Sequence, residues 1–211
     1  MARLKDGLNL NGTLGKLVFY QRNGMNYVRT KPAKYRDAKS ESQLLVRGRF
    51  AECNRFYSML NADIFRTAWK VAAKGMGKNA KNLFMQYNSY AFGKDKECVD
   101  YDRLHFSAGT LPLPDNLQIK RHNNHDCIIE WEYNRQKGIG SPTDKLYIVE
   151  LQKELKVHFH ETEIRRSEGK VTFSTFENIE EHTQLYCFWG NEQATSFSES
   201  FHFVQITLTE P

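Results

Sequence analysis

Seven short strand signals follow one another between Leu117 and Leu208, and their spacing leaves few folds open. They are 117–121, 126–133, 145–151, 156–162, 170–176, 184–190 and 199–208. Each is rich in β-branched or aromatic residues, and turn signals separate them. Gly138 and Gly140 break the chain after Trp131, and Ser167-Glu168-Gly169 makes another turn. Short strands at this rhythm predict an antiparallel β-sandwich.

The front of the chain has a different grammar. Leu17–Tyr20 and Asn26–Thr30 read as two strands of a hairpin. Asn23-Gly24 supplies the positive-φ turn between them, and Pro32 ends the second strand. The period then changes. Ser40-Glu41-Ser42-Gln43 is a capping box. Leu44, Leu45, Phe50, Cys53, Phe56, Tyr57 and Leu60 recur at helical spacing after it. Asn61 is the expected N-cap of a second helix carrying Ile64, Phe65, Ala68, Trp69 and Ala72, which Gly75 and Gly77 end. A third helix is expected from Asn79 to Gly93, and 101–106 is expected to be extended. Leu111-Pro112-Leu113-Pro114 is a stiff connector, because proline fixes φ and restricts its neighbour. The expected fold class is therefore α+β. A basic hairpin plus about three helices spans 1–110, and an acidic seven-stranded sandwich spans 111–211.

Charge follows the same division. Residues 1–110 carry 20 Lys+Arg against 9 Asp+Glu, and residues 111–211 carry 10 against 16. The net charge of +5 thus hides a field with two ends. With 40% hydrophobic residues the chain can bury a real core. No apolar run reaches the roughly eighteen residues a membrane span needs. The first residues, Met1 to Gly7, contain no apolar signal core, so the expected location is the cytoplasm. Cys53, Cys98, Cys127 and Cys187 are widely spaced, which reads as free thiols in a reducing compartment. Strand alternation puts Cys127 on the face of Trp131, and Cys187 opposite Tyr186 and Phe188.

Chemistry-bearing motifs fall short one by one. Lys74-Gly75-Met76-Gly77-Lys78-Asn79 looks like a phosphate loop, but Ala72 stands where a glycine is needed and Asn79 where Ser or Thr is needed. A helix precedes it rather than a strand, so a helix–helix turn is expected. His158 and His160 put two imidazoles on one strand face, the start of a metal site with no third ligand in view. Neither a Gly-x-Ser-x-Gly elbow nor a His-Glu-x-x-His pair is present. Asn11-Gly12-Thr13 is a glycosylation sequon by letters alone. The reading is of no catalytic residues, no cofactor and no metal.

Two stretches carry a resemblance. Ile129-Glu130-Trp131, Gln184-Leu185-Tyr186-Cys187-Phe188 and Ser198-Glu199-Ser200 make the back half similar to a fibronectin type III or immunoglobulin-like sandwich. The whole chain resembles a Bacteroidetes family of proteins of unknown function. The matching stretches are Gly12 to Tyr20, Tyr27 to Pro32, Ser42-Gln43 with Arg47 to Phe50, and Thr143-Asp144-Lys145-Leu146. The resemblance implies the two-part architecture and transfers no catalytic residue.

The strongest functional signal is the basic front. Arg22, Arg29, Lys31, Lys34 and Arg36 lie on the hairpin and its exit, with Lys16 and Lys39 beside them, and Arg47 and Arg49 follow on the first helix. Tyr20, Tyr27 and Tyr35 are interleaved. Two functions are expected from this layout. The first is a non-enzymatic interaction or assembly protein, binding itself or another protein through its opposed charges. A structural protein of a phage-like or mobile-element particle would fit. The alternative is a nucleic-acid-binding protein using those cations and aromatics. Lysines that keep a small sheet edge soluble explain part of the same pattern.

Overall fold

Strand pairing at the front builds more than a hairpin. The structure, a computed structural model, describes residues 2–3, 11–22, 24–33, 37–93, 100–133, 140–180, 182–204 and 207–208. Contacts divide the chain into Met1–Ser40 and Glu41–Pro211. In the first unit, β1 (Ala2–Arg3), β2 (Gly12–Leu14), β3 (Leu17–Arg22) and β4 (Met25–Thr30) form an antiparallel sheet in the order β1-β4-β3-β2. The expected hairpin is β3–β4, in register from Leu17↔Thr30 to Arg22↔Met25. Gly24 takes φ +74°, a left-handed conformation that glycine enters without steric cost. Asn23, its expected partner in the turn, lies outside the described residues.

The second unit opens with α1 (Glu41–Met59), α2 (Asp63–Ala73) and α3 (Ala80–Asn88). α2 buries Ile64, Phe65, Ala68, Trp69 and Ala73, a stripe at the spacing of one helix face. It starts after Ala62 with no side-chain cap, so Asn61 is not its N-cap. Asp63 in its first turn complements the helix dipole instead. Asn79 does cap α3, its Oδ1 accepting from Asn82 N at 2.7 Å. The expected extended stretch at 101–106 begins with a 3-10 turn over Tyr101–Arg103.

Eight strands follow: β5 (Asp115–Arg121), β6 (Asp126–Glu132), β7 (Lys145–Leu151), β8 (Val157–Arg165), β9 (Lys170–Ser174), β10 (Gln184–Gly190), β11 (Phe201–Phe203) and β12 (Thr207–Leu208). They form a β-sandwich of two sheets, β11-β10-β7-β8 and β12-β5-β6-β9. The expected last strand is split between the two. β11 pairs with β10, whereas β12 runs parallel to β5 on the other sheet.

The two sheets differ in what covers them. In β6, buried Cys127, Ile129 and Trp131 alternate with more exposed neighbours, as a sheet with one solvated face should. In β7 and β10 nearly every residue is buried. Leu146, Ile148, Leu185, Cys187 and Trp189 enter the core between the sheets. Tyr147, Val149, Leu151, Tyr186 and Phe188 enter a second core with the three helices. The β11-β10-β7-β8 sheet is therefore the middle of three layers.

This layering overturns the expected boundary at 110/111. The helices share their core with the sandwich, and the contacts divide the chain at Ser40/Glu41. Segment 104–108 stitches the layers. Asn88 brackets His105, accepting from His105 N at 2.6 Å and donating to His105 O at 3.1 Å. Trp69 Nε1 donates to Phe106 O at 2.9 Å, and Phe106 N donates to Ser200 Oγ at 3.0 Å. The Leu111–Pro114 connector is likewise part of the sandwich, since Leu111 N donates to Phe197 O at 3.0 Å.

A buried ion pair closes the far end of the sandwich. Arg166 Nε lies 3.1 Å from Asp144 Oδ2, both side chains being almost wholly shielded from solvent. Arg166 Nη2 donates to Pro112 O at 2.7 Å, and its guanidinium sits 5.5 Å from the Trp189 ring centre. A Cβ at Gly140 would fall 2.6 Å from that guanidinium, so only glycine fits there.

The Phe106 ring touches Phe56 from α1, Phe159 from β8 and Tyr186 from β10. Phe106→Ala is expected to lower the unfolding free energy by about 3–5 kcal/mol. Chemical denaturation followed by far-ultraviolet dichroism and by tryptophan fluorescence checks this, with both signals shifting together.

Candidate interaction surfaces

The buried polar groups are spent on structure. Glu150 lies wholly within the protein, and burial pushes its carboxyl up. His160 Nε2 at 3.1 Å, Gln152 Nε2 at 2.6 Å and Phe176 N at 3.0 Å outweigh that and hold its pKa at about 2. A carboxylate held so low, with its oxygens engaged, is a poor proton carrier. His158 stacks on Phe176, ring centres 4.5 Å apart, and His160 lies 4.8 Å from the same ring. The histidine face of β8 thus holds Glu150 and one side of the Phe176 ring. Among the described residues no group of three or more His, Cys, Asp or Glu could hold a metal ion.

Other reactive side chains are also held. His202 places Nδ1 2.8 Å from Asp102 Oδ1 and Nε2 2.8 Å from Gln184 Oε1, and its ring stacks on Tyr186. Cys53, Cys127 and Cys187 are buried free thiols. Burial pushes Cys53 up to about 12, Cys127 up to about 11 and Cys187 well above its ordinary value. They therefore stay protonated and unreactive. Cys127 and Cys187 share the core between the sheets, on the faces the alternation assigns. Cys98 lies outside the described residues. Segment 74–79 is the turn between α2 and α3, with Gly75 at φ +81° and Gly77 at φ +66°. No described helix is long and apolar enough to cross a membrane.

The basic residues separate into two groups. Arg22, Arg29 and Lys31 are exposed in the first unit. Arg22 on β3 and Arg29 on β4 fall on the same sheet face as Tyr20 and Tyr27. Arg47 and Arg49 belong to α1 in the second unit. Two residues apart on a helix, they point in different directions. Lys34 and Arg36 lie outside the described residues.

Arg49 opens onto a feature the helical pattern alone did not reveal. The first turns of α1 are not buried. Val46 and Phe50 are each 49% exposed, and Leu44 is 40% exposed. Buried α1 residues begin only at Cys53. Val46, Phe50 and Ala51 of α1 face Met85 of α3 and Tyr90 just beyond it across a groove of about 770 Å³. Arg49 and Lys81 are its charged lining residues. Arg49 stands over the Tyr90 ring at 5.7 Å, and its Nε is buried without a hydrogen-bond acceptor among the described residues. Tyr90 itself is 66% exposed.

The Glu150 clamp sets a pH dependence. Its folded pKa of about 2 lies below the ordinary 4.5, so its stabilisation is complete above pH 4.5 and is lost as pH falls toward 2. Glu150→Gln is expected to flatten the fall of stability with acid over that window, as read by urea denaturation at a series of pH values.

Solved structures provide only distant likenesses. One, described as a myokine structure, is 12% identical, with a TM-score of 0.33, and the match covers 47% of this chain and 100% of that one. Another, the chicken CNTN1 FN1-FN3 domains, is also 12% identical, with a TM-score of 0.31 over 49% of this chain and 34% of that one. No curated protein matches. A family model covers nearly the whole length, matching residues 9–203, and by that match the chain belongs to the family of unknown function DUF6266.

Proposed function

We propose that the protein is a non-enzymatic assembly protein that docks a second copy of itself head to tail. The observation that carries this is the α1–α3 groove: apolar, open to solvent and cationic through Arg49 and Lys81. Its unsatisfied Arg49 Nε calls for an acceptor from outside. The opposite charge is present on the same chain, since residues 111–211 carry 16 Asp+Glu against 10 Lys+Arg.

That acidic half also offers an apolar knob. Phe176 is 60% exposed and shares a hollow with Glu161 and with Lys156, whose Nζ pairs with Glu177. An aromatic knob entering an apolar groove, with Glu161 at its rim to meet Arg49 or Lys81, is the composition of an interface centre. Groove and knob are different surfaces, so the contact is heterologous and builds rings or filaments. A structural protein of a phage-like or mobile-element particle would use such a contact. Buried, protonated thiols suit the reducing cytoplasm expected from the sequence.

Light scattering tests the proposal. Wild-type protein at low salt is expected to show a multiple of the 24.7 kDa chain mass and to dissociate as salt rises. Phe50→Glu and Phe176→Ser are each expected to weaken association about thirty-fold or more. Mixed together, the two variants are expected to stop at a pair of chains, one supplying the intact groove and the other the intact knob. A wild-type monomer at both salts would contradict the proposal.

A further inference from the structure

The first unit carries a second surface, with a different chemistry. On one face of its sheet, Val18, Tyr20 and Arg22 of β3 lie opposite Arg29, Tyr27 and Met25 of β4. The tyrosines are direct cross-strand neighbours, their rings 5.6 Å apart and 20° from parallel. Both are partly open to solvent. The antiparallel register puts Arg22 beyond one side of the pair and Arg29 beyond the other, about 13 Å apart along the strands at the usual rise per residue. The ladder then continues one step, Lys31 N donating to Lys16 O at 2.6 Å, so these two lysines are neighbours at the sheet's end. Between Asn11 and Lys31 the sequence holds Lys16, Arg22, Arg29 and Lys31, and neither Asp nor Glu.

We infer that this face binds single-stranded nucleic acid, with Tyr20 and Tyr27 as the stacking platform and Arg22, Arg29 and the Lys16–Lys31 pair as phosphate contacts. The charge selects the class of ligand. Four cations with no Asp or Glu in the sequence from Asn11 to Lys31 fit a polyanion, and a phosphate backbone is one that tracks a row of cations. The aromatics select the form. Tyrosine faces gain energy from bases that are already unstacked, and a sheet bearing such rings holds splayed bases. A duplex keeps its bases stacked on one another, so it offers few faces to this pair of rings. The reading is independent of the self-docking groove, which lies in the other unit.

Fluorescence anisotropy of the full chain with labelled oligo-dT and oligo-U, against a duplex and against polyglutamate, tests the inference. Binding to the single strands is expected to exceed binding to the duplex and to polyglutamate, and to weaken steeply with salt. Tyr20→Ala with Tyr27→Ala is expected to cost about ten-fold or more, whereas the Phe replacements keep binding. Arg22→Gln with Arg29→Gln is expected to reduce the salt slope by about 1.4 for two lost phosphate contacts. This second variant keeps the test sharp if the alanine variant fails to fold. Equal binding of polyglutamate and oligonucleotide would overturn the inference, as would a salt slope unchanged by loss of both arginines. A surface that prefers polyglutamate is an acidic-protein site instead.

Discussion

Burial of the β11-β10-β7-β8 sheet on both faces is the constraint on which the rest of the molecule depends. A sandwich normally leaves the outer face of each sheet to water, and the β12-β5-β6-β9 sheet does so. On the middle sheet, Tyr147, Val149, Tyr186 and Phe188 are too apolar to be left there, and α1, α2 and α3 cover them. The helices in turn share their core with that sheet. Trp69 and Phe65 complete theirs against Phe84 of α3 and Phe159 of β8. Each layer lacks what the other supplies, so the unit Glu41–Pro211 stands as one body.

Polar groups inside that body follow the same logic. Glu150, Arg166 and Asp144 are charges drawn into the interior, where an unpaired ion would be costly. Each is tied to partners on other strands or turns: Glu150 to β8 and to Phe176, Arg166 to the 140–144 turn and to Pro112. These ties fix strand ends and connectors, which hydrophobic packing specifies poorly. Apolar residues remain outside along the start of α1 and at Phe176.

Much of the architecture was legible in the sequence because local rules govern it. The strand signals from Leu117 to Phe203 reappear within a few residues of their expected ends, and the start of a third helix at Asn79 and the positive φ of Gly24 stand as read. The boundary failed for a non-local reason. The Leu111–Pro114 connector has the composition of a linker, but a hydrogen-bonded pairing with Phe197 builds it into the fold. A signal for the true arrangement was present. Leu146 to Val149 and Leu185 to Trp189 run apolar on both faces, which a strand solvated on one side does not do. The exposed groove was hidden for the opposite reason. Phe50 and Leu44 sit on the same helical pattern as Cys53 and Phe56, and periodicity alone does not say how far along a helix its covering layer reaches. The candidate cations were legible only in part. Arg22 and Arg29 share a face by register, whereas Arg47 and Arg49 belong to another unit.

The interdependence of helices and sandwich is the central claim, and native-state hydrogen exchange tests it amide by amide. If the middle sheet needs its helical cover, amides of α2 and of β7 and β10 open together, with one shared free energy and one denaturant dependence. An opening in which α2 exchanges freely while β7 and β10 stay closed would contradict the account, because the sandwich would then stand without the layer said to complete it.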